Sequence, residues 1–201
     1  MTEVPRPERF EPDALMEALL SAGVRFILIG GLAVGVHGAV RATQDMDVVP
    51  DPEGENLERL AAVLRRLEAR QIGVDTGFLP NLPTEAKGLA AGGSFQLETV
   101  HGQLDVLQES GVIPSFATLA QDAVEVEWRG HALLVCSLAR LREMKRAAGR
   151  PLDTLDLEAL AAAHGGEEAA RHEAIADGLR RRAVRPRSPL AGRLADPAVG
   201  P

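Results

Sequence analysis

The chain has 201 residues, of which 45% are hydrophobic and 25% charged, and its formal net charge is −7. This balance is typical of one soluble globular domain and excludes wholesale disorder. Only 3% of the residues are aromatic, so we expect an aliphatic core and no aromatic platform for single-stranded nucleic acid. The negative charge argues against a protein whose main role is to cover a phosphate backbone.

Cysteine content and hydropathy predict a cytoplasmic protein. The single cysteine, Cys136, excludes an intrachain disulfide and a multi-cysteine zinc site. Residues 1–13 lack the apolar segment of a secretory signal. The longest apolar stretch, residues 26–40, is interrupted by glycines and is too short to cross a bilayer. We therefore expect no membrane span and no contact with a membrane.

The N-terminal half alternates helical and extended patterns. From the spacing of its apolar residues we expect a helix, a buried strand that ends in a glycine turn, a short helix, a second strand and a third helix. These elements are predicted over residues 13–22, 26–31, 32–41, 42–50 and 57–70. Residues 75–94 are rich in Gly, Pro, Asn and Thr, which indicates a loop.

The C-terminal half predicts two hairpins followed by helices. The hairpins pair residues 95–99 with 103–108 and residues 124–128 with 131–135. Helices are expected over residues 138–149, 154–164 and about 167–183, the first capped by Ser137 and the second by Asp153. We predict one domain over residues 1–183, with a core at 13–135 and a helical part at 137–183, and a disordered tail over 184–201.

Two acids on one predicted strand suggest a metal site. Asp45 and Asp47 are separated by Met46, so both carboxylates leave the same face of the strand. Unpaired, they would repel each other, whereas Mg²⁺ favours both ionised forms and accepts hard oxygen ligands. An isolated Asp-x-Asp is often an incidental feature of a solvent-facing strand, so the neighbouring motifs decide its meaning.

A glycine pair precedes these acids at a strand-to-helix turn. Gly30 and Gly31 would expose backbone N–H groups there, and a Cβ would keep a phosphate away from the backbone. A triphosphate bound at this turn would reach a metal on Asp45 and Asp47. The alternative interpretation of the pair alone is a tight turn without a ligand.

Asp105 is the candidate for a third carboxylate. It lies between Leu104 and Val106 in a predicted strand, where an acid needs a reason. It would ligate a second metal or accept the proton of an attacking hydroxyl, as displacement at phosphorus requires. The alternative is an acid that points outward from a half-exposed hairpin.

These motifs resemble a known superfamily. An apolar residue, Gly-Gly, a spacer, Asp-x-Asp and a later strand Asp are similar to the nucleotidyltransferase superfamily with the polymerase-beta type of core. More narrowly, GGLAVGVHGAVRATQDMDVV with the downstream LREMKRAAGRPLDTLDLEAL resembles the minimal nucleotidyltransferases related to AbiEii toxins of type IV toxin–antitoxin systems. The resemblance covers roughly residues 13–163. Gly31 stands where the motif more often has serine.

The resemblance implies an α+β fold with a mixed sheet, helices on one side and further C-terminal helices. It implies transfer of a nucleoside monophosphate from a nucleoside triphosphate to an acceptor hydroxyl, on RNA such as tRNA or on protein, with release of pyrophosphate. Asp45, Asp47 and Asp105 would be catalytic and hold Mg²⁺ or Mn²⁺, and Gly30 and Gly31 would bind phosphates. A cognate toxin or antitoxin would be the protein partner.

Other charged residues have two interpretations each. Lys145 and Arg41 are candidates for nucleotide binding, because Lys145 follows an apolar helix side and Arg41 lies just before the acidic strand. For Arg150, Asp153 and Asp156 we favour solvated helix faces, and Asp153 has a role as a cap. We expect His37 to be a packed, hydrogen-bonded histidine.

The sequence fits three other functions less well than a transferase. A haloacid dehalogenase phosphatase needs an apolar strand directly before Asp45, where the chain has RATQ, and an EF-hand fails at Val49 and Pro50. The serious alternative is a non-catalytic relative that binds a nucleotide or a partner protein. The arginines of residues 180–193 would contact a tRNA acceptor, although a solvated tail is the favoured interpretation.

Overall fold

The computed structural model describes residues 10–73 and 84–164, which contain seven helices and seven strands. The helices are α1 Pro12–Ser21, α2 Gly30–Val36, α3 Gly54–Arg66, α4 Ala86–Ala90, α5 Phe116–Ala120, α6 Leu138–Ala148 and α7 Pro151–His164. The strands are β1 Phe26–Leu28, β2 Asp45–Pro50, β3 Arg70–Gln71, β4 Phe95–Thr99, β5 Gly102–Val106, β6 Val124–Trp128 and β7 His131–Val135.

The strands form one mixed sheet in the order β3-β4-β5-β2-β1-β7-β6. Strand β2 is parallel to β5 and antiparallel to β1, and β1 is parallel to β7. The remaining pairs, β3 with β4, β4 with β5 and β6 with β7, are antiparallel. The centre of the sheet is therefore built from strands that are distant in sequence, and this is where the acidic strand β2 lies.

The register of β2 and β5 separates a polar face from an apolar one. Asp45 pairs with Gln103 and Asp47 with Asp105, while Met46 pairs with Leu104 and Val48 with Val106. Side chains alternate between the faces of a strand, so the acids share one face and the apolar residues the other. The apolar set joins a buried aliphatic core that includes Leu15, Leu19, Leu60, Leu64, Met46 and Leu104.

Helices α1 and α3 contact each other, and α1 also contacts β2 and β7. In α3 the apolar positions predicted from the sequence, Leu57, Leu60, Ala61 and Leu64, are buried. These contacts bury the apolar stripe of each helix, which is the main source of helix stability in a globular protein. The aliphatic core expected from the composition is confirmed, and the only aromatic residue that the described part buries is Phe26.

Both predicted hairpins are present, and the fold class is the α+β mixed sheet that was predicted. Ser137 caps α6 as expected, since its hydroxyl accepts from the Arg140 N–H at 3.2 Å. Several boundaries differ. The first strand ends at Leu28 and α2 begins at Gly30, so the glycine pair opens the helix rather than ending the strand.

Two further boundaries were wrong, and two short helices were not predicted. Strand β2 begins at Asp45 rather than at residue 42, and α7 begins at Pro151, which places Asp153 inside its first turn. The loop predicted over residues 75–94 contains the short helix α4, and α5 was not predicted. Both helices are only five residues long, too short for a periodic pattern to stand out.

The predicted helix over residues 167–183, the arginines of residues 180–193, the tail over 184–201 and much of the predicted loop lie outside the described residues. Within the described ranges, none of the helices combines the length and the apolar character that crossing a membrane demands.

Candidate active site

Strands β2 and β5 bring three carboxylates together on one face of the sheet. Because the two strands are parallel and in register, Asp47 lies directly beside Asp105, and Asp45 lies two residues earlier on the same face. One carboxylate oxygen from each of the three residues lies within 4.8 Å of the others. The predicted acids thus converge, and we call them the carboxylate triad.

Neighbouring polar side chains hold two of these carboxylates in place. Gln96 Nε2 donates to Asp105 Oδ2 at 3.2 Å, and Gln103 Nε2 donates to Asp105 Oδ1 at 3.0 Å. The Thr43 hydroxyl donates to Asp45 Oδ1 at 2.9 Å. Both oxygens of Asp105 are therefore oriented by amides from β4 and β5, and Asp45 is oriented from the segment that enters β2.

Burial and repulsion between the carboxylates disfavour the ionised forms of Asp47 and Asp105. Burial, followed by the negative charges of Asp45 and Asp105, raises the pKa of Asp47 to about 7, although Lys145 and Arg150 act in the opposite direction. Burial also raises the pKa of Asp105, while its hydrogen bonds from Gln103 and Gln96 work against that shift. A bound cation would relieve this repulsion, and carboxylates are the hard oxygen ligands that Mg²⁺ and Mn²⁺ prefer. The residues present therefore fit such an ion.

The glycine pair makes room for side chains of this site. Gly30 has φ +65°, and a Cβ built on it would overlap Asp47 Oδ2 and lie 2.5 Å from Asp47 Cγ. A Cβ on Gly31 would lie 2.6 Å from Thr43 Oγ1 and 2.9 Å from Arg41 Nη2. Such distances are far below van der Waals contact. Glycine is therefore required here by protein side chains, a reason the sequence did not reveal; phosphate binding at Gly30 and Gly31 stays a prediction.

Five charged side chains form an alternating series of ion pairs that we call the ion-pair chain: Arg41, Asp156, Lys145, Asp153 and Arg150. Arg41 binds Asp156 through Nε at 2.6 Å and Nη2 at 3.2 Å. Lys145 Nζ lies 2.6 Å from Asp156 Oδ2 and 3.1 Å from Asp153 Oδ1. Arg150 Nε donates to Asp153 Oδ2 at 2.8 Å. The chain joins the segment before β2 to helices α6 and α7.

The ion-pair chain is buried at its centre. The side chains of Asp153 and Asp156 are each 2% exposed, and that of Lys145 is 5% exposed. Burial acts to raise the pKa of Asp153, but hydrogen bonds from Arg150 and Lys145 hold it below its ordinary value. The favoured sequence interpretation of Asp153 and Asp156 as solvated acids was therefore wrong. No local pattern signals these pairs, because Asp153 and Asp156 lie on α7 while their partner Lys145 lies on α6.

Arg41 and Lys145 lie beside the carboxylate triad, each already paired with an acid, and their role in nucleotide binding stays a prediction. Both line a cavity of about 660 Å³ together with Gly30, Gly31 and the carboxylate triad. Arg150 lines the same cavity and was not among the predicted site residues. With three cations against two acids, the ion-pair chain keeps one positive charge in excess opposite the triad's three carboxylates.

His37 lies at the end of α2 and its Nε2 donates to the Cys136 carbonyl oxygen at 2.8 Å. It is therefore the packed, hydrogen-bonded histidine that was predicted. Sequence reasoning did not single out Thr43, Gln96 or Gln103. The two glutamines share the period-2 pattern of their strands with Asp105, which is the signal that would have placed them on its face.

Sequence comparison finds no family profile and no curated protein that matches the chain. Solved structures do match it. The crystal structure of ANT(2'')-Ia in complex with adenylyl-2''-tobramycin is 17% identical, covers 85% of this chain and 98% of its own, and gives a TM-score of 0.50. A solution structure of the same antibiotic-resistance factor is 19% identical, covers 85% and 93%, and gives 0.49.

A protein of Thermotoga maritima with a provisional nucleotidyltransferase assignment is 12% identical, covers 86% of this chain and 96% of its own, and gives a TM-score of 0.46. At such low identities a likeness concerns the fold alone. The first of these structures shows that the chain has a nucleotidyltransferase-like fold, which is the fold that the resemblance implied. The narrower resemblance to AbiEii-related proteins stays a prediction.

Proposed function

We propose that this protein is a metal-dependent nucleotidyltransferase. In the proposed reaction the oxygen of an acceptor hydroxyl attacks the α-phosphorus of a nucleoside triphosphate. A new phosphorus–oxygen bond forms, the bond to the β-phosphate breaks, and pyrophosphate leaves. The hydroxyl proton passes to a base. The observation that carries the proposal is the convergence of Asp45, Asp47 and Asp105 within 4.8 Å in a nucleotidyltransferase-like fold.

The carboxylate triad would hold Mg²⁺ or Mn²⁺. When bound, such an ion polarises the phosphoryl group and neutralises charge as pyrophosphate departs. The triad's own contribution is to present three hard oxygen donors on one rigid sheet face, where the parallel register fixes their spacing. The raised pKa of Asp47, caused first by burial and then by the charges of Asp45 and Asp105, supports this assignment, because a buried carboxylate beside two others is costly without a cation.

Asp105 is the candidate base for the acceptor proton. It is buried, and its raised pKa makes it a better proton acceptor than an ordinary aspartate. Gln96 and Gln103 fix the direction of its two oxygens. A carboxylate held in this way can serve as a ligand, as a base or as both in sequence, and the sequence motif left the first two roles open as alternatives.

The cationic side of the cavity would receive the triphosphate. Arg41, Lys145 and Arg150 line it, and Arg150 is the most exposed of the three, with 73% of its side chain accessible. Arg150 thus presents a solvent-accessible guanidinium while it stays paired with Asp153, and the buried Lys145 supplies a fixed positive charge. Gly30 and Gly31 border the same space, where their N–H groups would meet phosphate oxygens.

The acceptor is a hydroxyl on RNA such as tRNA, on protein or on a small molecule. RNA and protein follow from the resemblance to AbiEii-related proteins, which also suggests a role in a toxin–antitoxin system with a cognate partner. The small-molecule class is added because the complex of ANT(2'')-Ia contains an adenylylated tobramycin. Self-modification on tyrosine is excluded, since the chain has no Tyr.

The test is transfer of α-labelled nucleotide from each of the four triphosphates, with Mg²⁺, into total RNA, cell-extract protein and an aminoglycoside. The Asp45→Ala/Asp47→Ala variant is run beside wild type. Asp13→Asn is the matched control, because it removes a carboxylate that pairs with Arg129 on the exposed surface. We expect label with wild type and the control and none with the double variant.

The fraction that carries label identifies the acceptor class. No label in any fraction, together with no nucleotide binding by calorimetry, would contradict the proposal and favour a non-catalytic relative that binds a partner protein. Label that is independent of Asp45 and Asp47 would contradict the metal site.

A further inference from the structure

We propose that Thr43 is a positioning residue, whose hydroxyl orients the Asp45 carboxylate for the cation, and that residue 31 is glycine because Thr43 and Arg41 need its space. This inference rests on the proposed metal-dependent function and extends it to two residues outside the triad. It begins from the hydrogen bond that the half-buried Thr43 donates to Asp45 Oδ1 at 2.9 Å.

Thr43 acts at the start of the acidic strand. Its Oγ1 lies 2.9 Å from Asp45 Oδ1 and 3.3 Å from the Asp45 carbonyl oxygen, so it spans the side chain and the backbone of one residue. A carboxylate on a strand can rotate about two side-chain torsions. A fixed donor on one oxygen restricts that rotation and so holds the carboxylate plane in one orientation. Such outer partners orient metal ligands in proteins.

Residue 31 and Thr43 compete for the same volume. A Cβ on Gly31 would lie 2.6 Å from Thr43 Oγ1 and 3.1 Å from Thr43 Cβ. It would also lie 2.9 Å from Arg41 Nη2, one of the two Arg41 nitrogens that donate to Asp156. A side chain at residue 31 therefore displaces the group that orients Asp45 and disturbs the first link of the ion-pair chain.

The two glycines then have parallel roles. The space beside Gly30 is taken by Asp47, and the space beside Gly31 is taken by the residue that holds Asp45. Each glycine thus admits one of the two acids of β2, directly or through Thr43. Residue 31, on the helix side of the turn, has no hydroxyl in this chain. Thr43, on the strand side of the turn, supplies one instead.

The test measures Mn²⁺ binding by electron paramagnetic resonance for wild type, Thr43→Val and Thr43→Ser. Valine keeps the shape of threonine and removes the hydroxyl, while serine keeps the hydroxyl. We expect the Mn²⁺ dissociation constant to rise roughly tenfold in Thr43→Val and to stay within about twofold of wild type in Thr43→Ser. Should Thr43→Val fail to fold, Thr43→Ala against Thr43→Ser gives the same comparison.

A double-variant cycle tests the role of Gly31 without assuming catalysis. We expect Gly31→Ala to weaken Mn²⁺ binding and lower the melting temperature in the Thr43 background. In the Thr43→Ala background the same change should cost less, because the 2.6 Å overlap with Oγ1 is gone. Equal effects in both backgrounds would overturn the competition for space.

The outcomes separate this inference from the proposed function. If Thr43→Val leaves Mn²⁺ binding unchanged, or if Thr43→Ser weakens it as much as Thr43→Val does, the role of the hydroxyl is overturned. The proposed metal site is not affected by either result. Wild-type protein that binds no Mn²⁺ overturns the metal site and both proposals. Mn²⁺ binding that depends on Thr43, without nucleotide transfer, supports the role of Thr43 and contradicts the proposed reaction alone.

Discussion

The carboxylate of Asp47 occupies the space that a side chain at Gly30 would need, since a Cβ there would lie 2.5 Å from Asp47 Cγ and 2.9 Å from Asp47 Cβ. Gly30 also has φ +65°, a conformation that costs other residues about 1 kcal/mol or more. The turn before α2 and the acid of β2 are therefore a single packed unit.

We expect Gly30→Ala to displace Asp47 and to raise the Mn²⁺ dissociation constant at least roughly tenfold. Gly35→Ala is the matched control, because Gly35 lies in the same helix and a Cβ there meets nothing within 4 Å. That change should leave metal binding intact and stabilise the protein by about 0.5 kcal/mol. Calorimetry with Mn²⁺ and thermal unfolding check both variants; equal metal binding in both would contradict the packing argument.

The raised pKa of Asp47, about 7 in the folded protein against 3.8 ordinarily, gives a pH-dependent stability. The folded state holds the proton more tightly, so the stabilisation is full below the ordinary pKa and is lost as pH rises towards 7. We expect metal-free wild type to lose on the order of 3 kcal/mol of unfolding free energy between about pH 4 and pH 7 from this group. Urea unfolding at a series of pH values measures it.

Asp47→Asn should remove most of this slope and make the metal-free protein more stable than wild type at pH 8. Added Mg²⁺ should stabilise wild type at pH 8 more than at pH 5, because the ion competes with the proton on Asp47. If the unfolding free energy of wild type rose between pH 4 and pH 7 as much as that of Asp47→Asn, the assignment of a raised pKa to Asp47 would be contradicted.

Because the centre of the ion-pair chain is buried, we expect a single substitution there to lower the free energy of unfolding strongly. Asp156→Asn leaves Lys145 and Arg41 short of a partner, and breaking a buried pair in this way costs about 3 kcal/mol. Asp13→Asn breaks an exposed pair with Arg129 and should cost less than about 0.5 kcal/mol. Chemical denaturation of both variants tests the difference, and a similar cost in both would show that burial adds nothing.

The sequence indicated the three acids of the triad but not the side chains that surround them. Asp45 and Asp47 follow from strand periodicity, and Asp105 follows from an acid placed in an apolar strand. Their meeting could not be derived from pattern alone, because it depends on the parallel register of β2 with β5. The alternating pattern favours one register once two strands are paired, but it does not say which distant strands pair.

The ion-pair chain shows why other residues were misjudged. Asp156 lies 115 positions from Arg41, and nothing local distinguishes it from a solvated helix acid. Asp153 had a sufficient local explanation as a cap, which concealed its contact with Lys145. A local role such as capping does not exclude a second partner that tertiary packing brings to the same side chain. The glycine pair was likewise given a ligand-based reason, while the packed side chains of Asp47 and Thr43 supply a structural one.

The parallel pairing of β2 with β5 has a consequence for the order of folding. Helix α3, strand β3, helix α4 and strand β4 lie between these strands in the chain, so Asp47 and Asp105 meet only after a long loop has closed. Interactions absent from the folding transition state act on the unfolding rate. In stopped-flow experiments Mg²⁺ should therefore slow unfolding and leave the refolding rate nearly unchanged. The ion would stabilise the folded protein after the transition state and would not speed its folding.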